Sequence, residues 1–519
     1  MMKKAVMKVV QLSVDRPKLV VLLAVIITVL LSSQLPKINI DTDPENMLRE
    51  DEPIRLFHKK VKEEFGINEL IVLGIVRQDG IFHPDSLQRI KRITDEILKI
   101  KGVIADDVIS LTVTNNVVSE GGILHVRPPM LRVPETQQQI DRLKKEVLDN
   151  PLFRDRLVSS DGTGAAIYIP IKSKDIAHEV GEKIKAIYMR ENGPEKYYMA
   201  GLPIAEDTFG KEMFIQMAVV APMAGGLLML LLFVIFRRLS LIVSPMIVAM
   251  LSVIWTMSAM IGLGFPVHIM SSMIPVFLMP IAVCDSVHIL SDFYEKYPRL
   301  GDRRQAVLQV FEELIKPMFF TSVTTAVGFS MLARADIPPV KVFGLFVALG
   351  VMIAWALTMT VIPASLMLIR EKKPFEKQQR GSALLAGIGR VSLGRSKAVV
   401  ISGAVLLVVA VYGVTLLRVN DNPVKWFKKH HPIRVADREL NKLIGGTYIS
   451  YLTLEGTTRE QIKEPEVMNY IEALQRHLET SALVGKTTSV ADIVKRVNYV
   501  LHDEDRQYDV LPDTKDSIG

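Results

Sequence analysis

Seven apolar runs dominate the 519-residue sequence, at about 17–36, 213–236, 240–263, 267–291, 316–335, 341–369 and 398–416. Hydrocarbon offers the backbone no hydrogen-bonding partner, and about 20 apolar residues of helix are needed to cross it. Runs of this length and number therefore commit the chain to a helical membrane protein. The first run follows Lys3, Lys4, Lys8, Arg16 and Lys18, as a signal peptide would. It leaves through Gln34-Leu35-Pro36-Lys37 without a small-x-small cleavage site, and so reads as an uncleaved first span.

One run carries a residue that hydrocarbon should reject. Within Met279-Pro280-Ile281-Ala282-Val283-Cys284-Asp285-Ser286-Val287-His288 stands a single carboxylate. A charged side chain at the bilayer centre costs about 2.5–3.5 kcal/mol on insertion scales, so an ionisable residue there points to function. Asp285, His288, Asp292 and Glu295 follow i, i+3, i+7, i+10 spacing and share one helical face. With Asp292 and Glu295 at the watery end, Asp285 lies about 10 Å deeper, at about 1.5 Å per residue. The bland alternative is a carboxylate near a helix end that reaches back to water.

Charge fixes the expected orientation. Arg237-Arg238, the group Lys296, Arg299, Arg303, Arg304 and Lys316, and the group Arg370, Lys372, Lys373, Lys377 and Arg380 fall on one side with the N-terminus. The other side receives Gly264–Pro266 and the turn from Arg334 to Val340. The positive-inside rule puts the basic loops in the cytoplasm, with 37–212 and 419–519 outside the cell. The net charge of +7 is thus gathered at span ends. No clustered basic face for nucleic acid is visible. The single cysteine, Cys284, excludes an internal disulfide framework.

Residues 37–212 read as a globular α+β domain. Leu70–Val76, Val103–Val113, Ala165–Ile171 and Lys196–Ala200 read as strands, and Asp85–Ile100 and Ile176–Met189 as amphipathic helices. Two such β-α-β units fit a ferredoxin-like layer. The stretch 114–160 is less regular, with a helix near Thr136–Leu148.

An internal repeat sets the architecture. Arg16-Pro17-Lys18 matches Arg395-Ser396-Lys397, Asp43-Pro44 matches Asn422-Pro423, Pro53-Ile54-Arg55 matches Pro432-Ile433-Arg434, and Gly66 matches Gly445, all 379 residues apart (395 − 16). The expected domains are the N-terminus and first span (1–36), an outer domain (37–212), five spans (213–370), a cytoplasmic linker (371–397), a seventh span (398–418) and the start of a second outer domain (419–519). The second repeat is expected to be incomplete, five spans short of the first. Parallel repeats of this kind are a transporter signature.

This organisation resembles the resistance-nodulation-division (RND) superfamily across essentially the whole chain. It is closest to the lipid-handling branches: the mycobacterial-membrane-protein-large, hopanoid-exporter and Patched-like groups. The five-span block is similar to a sterol-sensing domain. The residues that carry the likeness are Asp285, the run Thr321-Ser322-Val323-Thr324-Thr325-Ala326-Val327-Gly328-Phe329, and Gly201-Leu202-Pro203. The resemblance implies that Asp285 relays protons and couples the proton gradient to movement of the outer domains. Ile281 and Ser286 stand where the family often has Gly and a second Asp or Tyr. A single-Asp relay is therefore expected rather than a carboxylate pair.

Thr321, Thr324, Thr325 and Gly328 share a helical face by i, i+3, i+4, i+7 spacing, with Thr324 and Thr325 about 12 Å inward from Pro317. Their hydroxyls could bond a carboxyl in either protonation state; ordinary small-residue packing is the alternative. His288 is either a stepping stone for protons or a structural histidine. Asp292 is the candidate for proton access from the cytoplasm. The many methionines of the spans read as packing rather than as a Cu(I) path. No phosphate-cradling loop or Ser-His-Asp arrangement is visible, so neither an ATP-driven protein nor an enzyme is expected.

The expected function is proton-driven export of hydrophobic or amphiphilic substrates, lipids or drugs, across the cytoplasmic (inner) membrane. No cofactor is expected beyond the proton gradient. Membrane lipids are the expected surroundings, and the partner is a second copy or the missing second half. Two other readings are an accessory of protein export and a lipid-binding sensor without transport.

Overall fold

The computed structural model describes the chain apart from Met1, Thr42, residues 121–122, 237–238, 370–379 and 418–421, and Arg459. In chain order, α1 (Met2–Asp15) and α2 (Pro17–Ser32) come first. Next are α3 (Pro53–Phe65), α4 (Pro84–Ile97), α5 (Gln137–Leu148) and α6 (Ala177–Tyr188). The long helices follow: α7 (Leu202–Phe236), α8 (Leu239–Gly262), α9 (Ile274–Leu300), α10 (Arg303–Ser330) and α11 (Pro338–Leu368). Then come α12 (Arg380–Gly394), α13 (Ser396–Thr415), α14 (Pro432–Leu443), α15 (Pro465–Glu479), α16 (Val490–Leu501) and α17 (Lys515–Ile518). The strands are β1 (Ile40–Asp41), β2 (Glu69–Val76), β3 (Asn116–Glu120), β4 (Ile123–Arg127), β5 (Gly164–Ile171), β6 (Lys196–Ala200) and β7 (Val267–His268). The chain divides into a membrane unit, residues 1–49 and 212–421, and a mixed unit, residues 50–211 and 422–519.

Among the described residues, six helical stretches are long and apolar enough to cross a membrane: Pro17–Lys37, Leu202–Val234, Ile242–Gly262, Ser271–Leu300, Pro338–Leu368 and Ser396–Thr415. The expected run at 316–335 lies in α10, which is not one of these six. Charges crowd the first half of α10, and Thr321, Ser322, Thr324 and Thr325 lower the apolarity of the second. It packs all the same between α9 and α11.

In the membrane unit, α11 is the central element and contacts α8, α9 and α10. Helices pack closely at Gly350 of α11. A Cβ there would lie 2.5 Å from a methyl of Leu278 on α9 and 2.8 Å from Thr256 Oγ1 on α8. Residues 1–18 were expected only as a basic leader to the first span; they hold α1, which buries Val10 and Val14 and packs on α10 and α11. Its end is tied by the Arg304–Asp15 ion pair at 3.0 Å. Trp255 Nε1 of α8 donates to Thr28 Oγ1 of α2 at 2.9 Å. Arg303 donates to the carbonyl oxygens of Leu366 and Ile369, which close the C-terminal end of α11.

Two boundaries differ from the sequence expectation. The run at 267–291 begins as β7, which pairs in parallel with β1, and its helix then continues to Leu300, where Gly301 at φ +68° ends it. The stretch read as a linker, 371–397, contains α12. Arg237, Arg238, Arg370, Lys372, Lys373 and Lys377, part of the charge that sets the orientation, lie outside the described residues.

The mixed unit is built on a three-stranded antiparallel sheet in the order β5-β2-β6. Ile71, Leu73 and Ile75 alternate with Gly74 along β2, so they point to the opposite face. Met199, paired with Leu73, meets Gly181 of α6 on that face. On the other face α14 crosses the sheet, and a Cβ on Gly74 would overlap Leu440. Buried Glu195, next to β6, accepts from Arg89 Nη1 of α4 at 2.9 Å.

The expected strand at Val103–Val113 is absent. Gly102 at φ +104° and a 3₁₀ turn at Ala105–Asp107 break it into isolated bridges, Val103 to Ile171 and Ile109 to Tyr168. The stretch 114–160 holds, besides α5, the antiparallel hairpin β3-β4.

Candidate functional site

The site lies where α9 and α10 meet. Pro275 starts α9 at a position where no backbone donor is needed, and the helix runs to the left-handed Gly301. Asp302 then caps α10 by accepting from Arg304 N at 2.9 Å. The tight turn at Gly301–Asp302 makes α9 and α10 neighbours.

Asp285 is buried, with 8% of its surface exposed. Among the described residues it is the only buried Asp, Glu, Lys or Arg of the membrane unit. Ser322 Oγ, itself buried, donates to Asp285 Oδ2 at 3.3 Å. Ser286 is fully buried beside it and donates to Ala282 O at 3.1 Å. A hydroxyl both donates and accepts. Ser322 can therefore serve the carboxylate, or accept from the carboxyl once it is protonated.

The structure does not bring the three threonines to Asp285. Thr321 donates to Pro317 O, Thr324 to Phe320 O and Thr321 O, and Thr325 to Thr321 O, each within 2.9 Å. Thr321 and Thr324 are exposed and Thr325 half-buried. The reason is rotational. The buried stripe of α10 runs Phe311, Ile315, Met318, Ser322, Ala326, and about 100° per residue turns Thr321 away from it. Ser322 is the residue that the hydroxyl pattern conceals; prolonging the apolar stripe by four residues from Met318 reaches it.

His288 stands one turn along from Asp285 and is exposed. Asp292 is engaged by Lys296 Nζ at 3.1 Å, and the same ammonium reaches Glu313 Oε2 of α10 at 2.6 Å. Asp292 therefore belongs to an ion-pair network joining α9 to α10. Glu295 pairs with Arg299 at 2.9 Å. Among the described residues, no group of three or more His, Cys, Asp or Glu side chains could hold a metal ion.

A second polar contact of the membrane unit lies between its spans. His268 Nδ1 of β7 is 3.3 Å from Asp41 Oδ2 of β1, and Asn46 Nδ2 donates to the same oxygen at 2.8 Å. Burial pulls the His268 imidazole below its ordinary pKa, against the opposing pull of the Asp41 carboxylate.

A bundle of membrane-crossing helices around one buried carboxylate defines a multi-pass membrane protein with a polar centre. A family model described as the MMPL family matches residues 112–399, more than half of the sequence. The chain belongs to the MMPL family, on the RND and Patched-like branch. It is similar to MJ1562 of Methanocaldococcus jannaschii, described as a membrane protein, with 22% identity over 395 residues, covering 73% of this chain and 98% of the relative. Protein dispatched homolog 3 of Gallus gallus is 33% identical over 82 residues, 16% of this chain and 6% of that relative. The Homo sapiens homologue matches at 32% over the same length. These likenesses support an RND-type transporter of hydrophobic substrates in general.

Proposed function

We propose that the chain is a proton-driven exporter of lipids or other amphiphilic molecules across the cytoplasmic membrane, with Asp285 as the proton-carrying group. The observation that carries this reading is the hydrogen bond from Ser322 to a carboxyl group buried among membrane helices. A proton on Asp285 removes a buried charge, and its release restores one. Each step changes what the packing of α9 against α10 must accommodate. The Ser322 hydroxyl keeps a partner in both states. Thr321 and Thr324 are exposed and Thr325 is half-buried, and all three hydroxyls bond their own helix; in this reading they are not steps of the proton path, and exposed His288 serves the approach of protons. The residues act by positioning and proton exchange, as in a transporter and not an enzyme.

In this reading the N-terminus and the α9–α10 turn are cytoplasmic, and the mixed unit is extracytoplasmic. Its sheet is read as ferredoxin-like. The support is β2-α4 followed, after β3, β4 and α5, by β5-α6-β6, with the 103–109 bridges lying outside β5. The chain is further read as a duplicated unit that works with a second copy or a second half. Element starts support that reading: α2 and α13 begin at 17 and 396, α3 and α14 at 53 and 432, 379 apart in both pairs (432 − 53).

Export of a fluorescent lipid analogue from cells expressing the wild-type chain or Asp285→Asn tests the assignment. The expected result is at least tenfold slower export by the variant at equal membrane content. Equal export would contradict it, and loss of protein secretion alone would favour an accessory of protein export.

A further inference from the structure

Five residues seat α1 on the membrane unit. Val10, Ser13 and Val14 are buried, and Val6 and Met7 pack beside them. At 100° per residue they span about 120° of the helix, so most of its circumference is left to other surroundings. Lys3 Nζ lies 3.4 Å from Glu312 Oε1, and Arg304 pairs with Asp15 at 3.0 Å, which fixes both ends of α1 to α10.

The neighbouring helices place α1 at the edge of the hydrocarbon. Glu312, beside Lys3, stands 18 residues (330 − 312) before Ser330, where α10 ends. At about 1.5 Å per residue that is about 27 Å, close to the about 30 Å of bilayer hydrocarbon. At its other end, α1 stops at Asp15, and the first span starts two residues later at Pro17. Arg16, at φ −128° and ψ 58°, breaks the helix between them, so α1 does not continue the axis of the span.

The sides of α1 turned away from the bundle differ in character. Ala5, Val9 and Leu12 are exposed and fall within about 60° of one another. Lys4 and Lys8 are exposed on the adjoining side, one turn apart, and neither has an ion-pair partner among the described residues. The nearby acids are already engaged: Asp15 by Arg304, Glu312 by Lys3 and Glu313 by Lys296. The uncompensated charge on this side is therefore positive. An apolar strip bordered by lysines, on a helix at the water–lipid boundary, suits apolar side chains among acyl chains and ammonium groups at lipid phosphates.

We propose that α1 is a binding site for anionic phospholipid, with Lys4 and Lys8 on the headgroup phosphate and Ala5, Val9 and Leu12 against the acyl chains. A free phosphate would gain the ammonium contacts alone. A zwitterionic lipid brings a cationic group that opposes them. An acidic polypeptide is the competing occupant; the place of α1 beside the start of a span favours the lipid.

The probe is phosphatidylglycerol, offered to the full chain in nanodiscs with an equal amount of phosphatidylcholine. Val9 is replaced by the photocrosslinking residue p-benzoylphenylalanine, and lipid adducts are read by mass spectrometry. Phosphatidylglycerol adducts should exceed phosphatidylcholine adducts by about fivefold or more, the effect of one lysine at an anionic surface. The ratio should fall to about one in the double variant Lys4→Gln, Lys8→Gln and persist in Lys4→Arg, Lys8→Arg, since the site needs the charge. All three positions are exposed, and unchanged circular dichroism confirms that the variants fold. Equal capture of both lipids overturns the proposal, as does capture of polypeptide or of nothing. A preference that survives Lys4→Gln, Lys8→Gln overturns the assignment to these lysines. A preference abolished by excess inorganic phosphate assigns them to free phosphate and overturns the lipid. No arm of the test depends on transport or on Asp285.

Discussion

Ser322 Oγ and Asp285 Oδ2 lie 3.3 Å apart, and the two residues come from adjacent membrane-unit helices buried on their facing sides. A hydrogen bond to a charged group contributes about 1.5–3 kcal/mol, and losing one partner in a buried site leaves the other unsatisfied. Ser322→Ala is expected to slow transport about tenfold, the kinetic equivalent of about 1.4 kcal/mol. Ser322→Thr should restore most of it. Thr321→Ala and Thr324→Ala, whose hydroxyls bond their own helix, should stay within about twofold of wild type, since surface changes away from such features have small effects. Initial export rates at matched expression check all four variants.

Packing at Gly350 predicts a stability effect without a functional group. Gly350→Ala places a methyl 2.5 Å from Leu278 and should destabilise the membrane unit by about 1–3 kcal/mol, the usual cost of overpacking. Gly328→Ala on α10 meets no atom within 4 Å and should not lower stability. Thermal unfolding in detergent distinguishes them through a lower midpoint for the first variant alone.

His268 predicts a pH dependence with a definite sign. Its folded-state pKa is lowered by burial, so the unfolded chain binds more protons over the range between that lowered value and the ordinary one, about 6.5. Stability should therefore rise with pH through that window and fall as pH drops below about 6.5. His268→Gln, which keeps a donor for Asp41, should flatten the profile. Midpoints measured from pH 5 to 7.5 check the slope, and an unchanged slope in the variant would assign it to other groups.

Much of the fold and part of the site are legible in the residues, for identifiable reasons. Asp285 announces itself because hydrocarbon tolerates no unexplained carboxylate, and β2, α4 and α6 show clean periodicity. Ser322 does not, because the Thr-Ser-x-Thr-Thr run sorts more readily by its hydroxyls than by the buried stripe of α10. The β3-β4 hairpin has its signal in Gly121-Gly122 between two apolar stretches, a turn pattern outweighed by the polar surroundings. The strand expected at 103–113 fails at a place composition does not flag strongly, where Gly102 and Asp106-Asp107 turn the backbone. α1 is hidden by its lysines, which occupy the exposed side of an amphipathic helix whose other side buries Val10 and Val14. The engagement of Asp292 by Lys296 follows from i, i+4 spacing, but its extension to Glu313 needs the turn at Gly301.

Proton movement tests the role of Asp285 most directly. The chain is reconstituted into liposomes with a pH-sensitive dye inside, and a pH gradient is imposed in the presence of a lipid-like substrate. Wild type should acidify or alkalinise the lumen along the gradient in step with substrate movement. Asp285→Asn should abolish both, while Asp285→Glu, which keeps the titratable group, should retain a measurable part of each. Wild-type proton flux that persists undiminished in Asp285→Asn would contradict the assignment of Asp285 as the proton-carrying group.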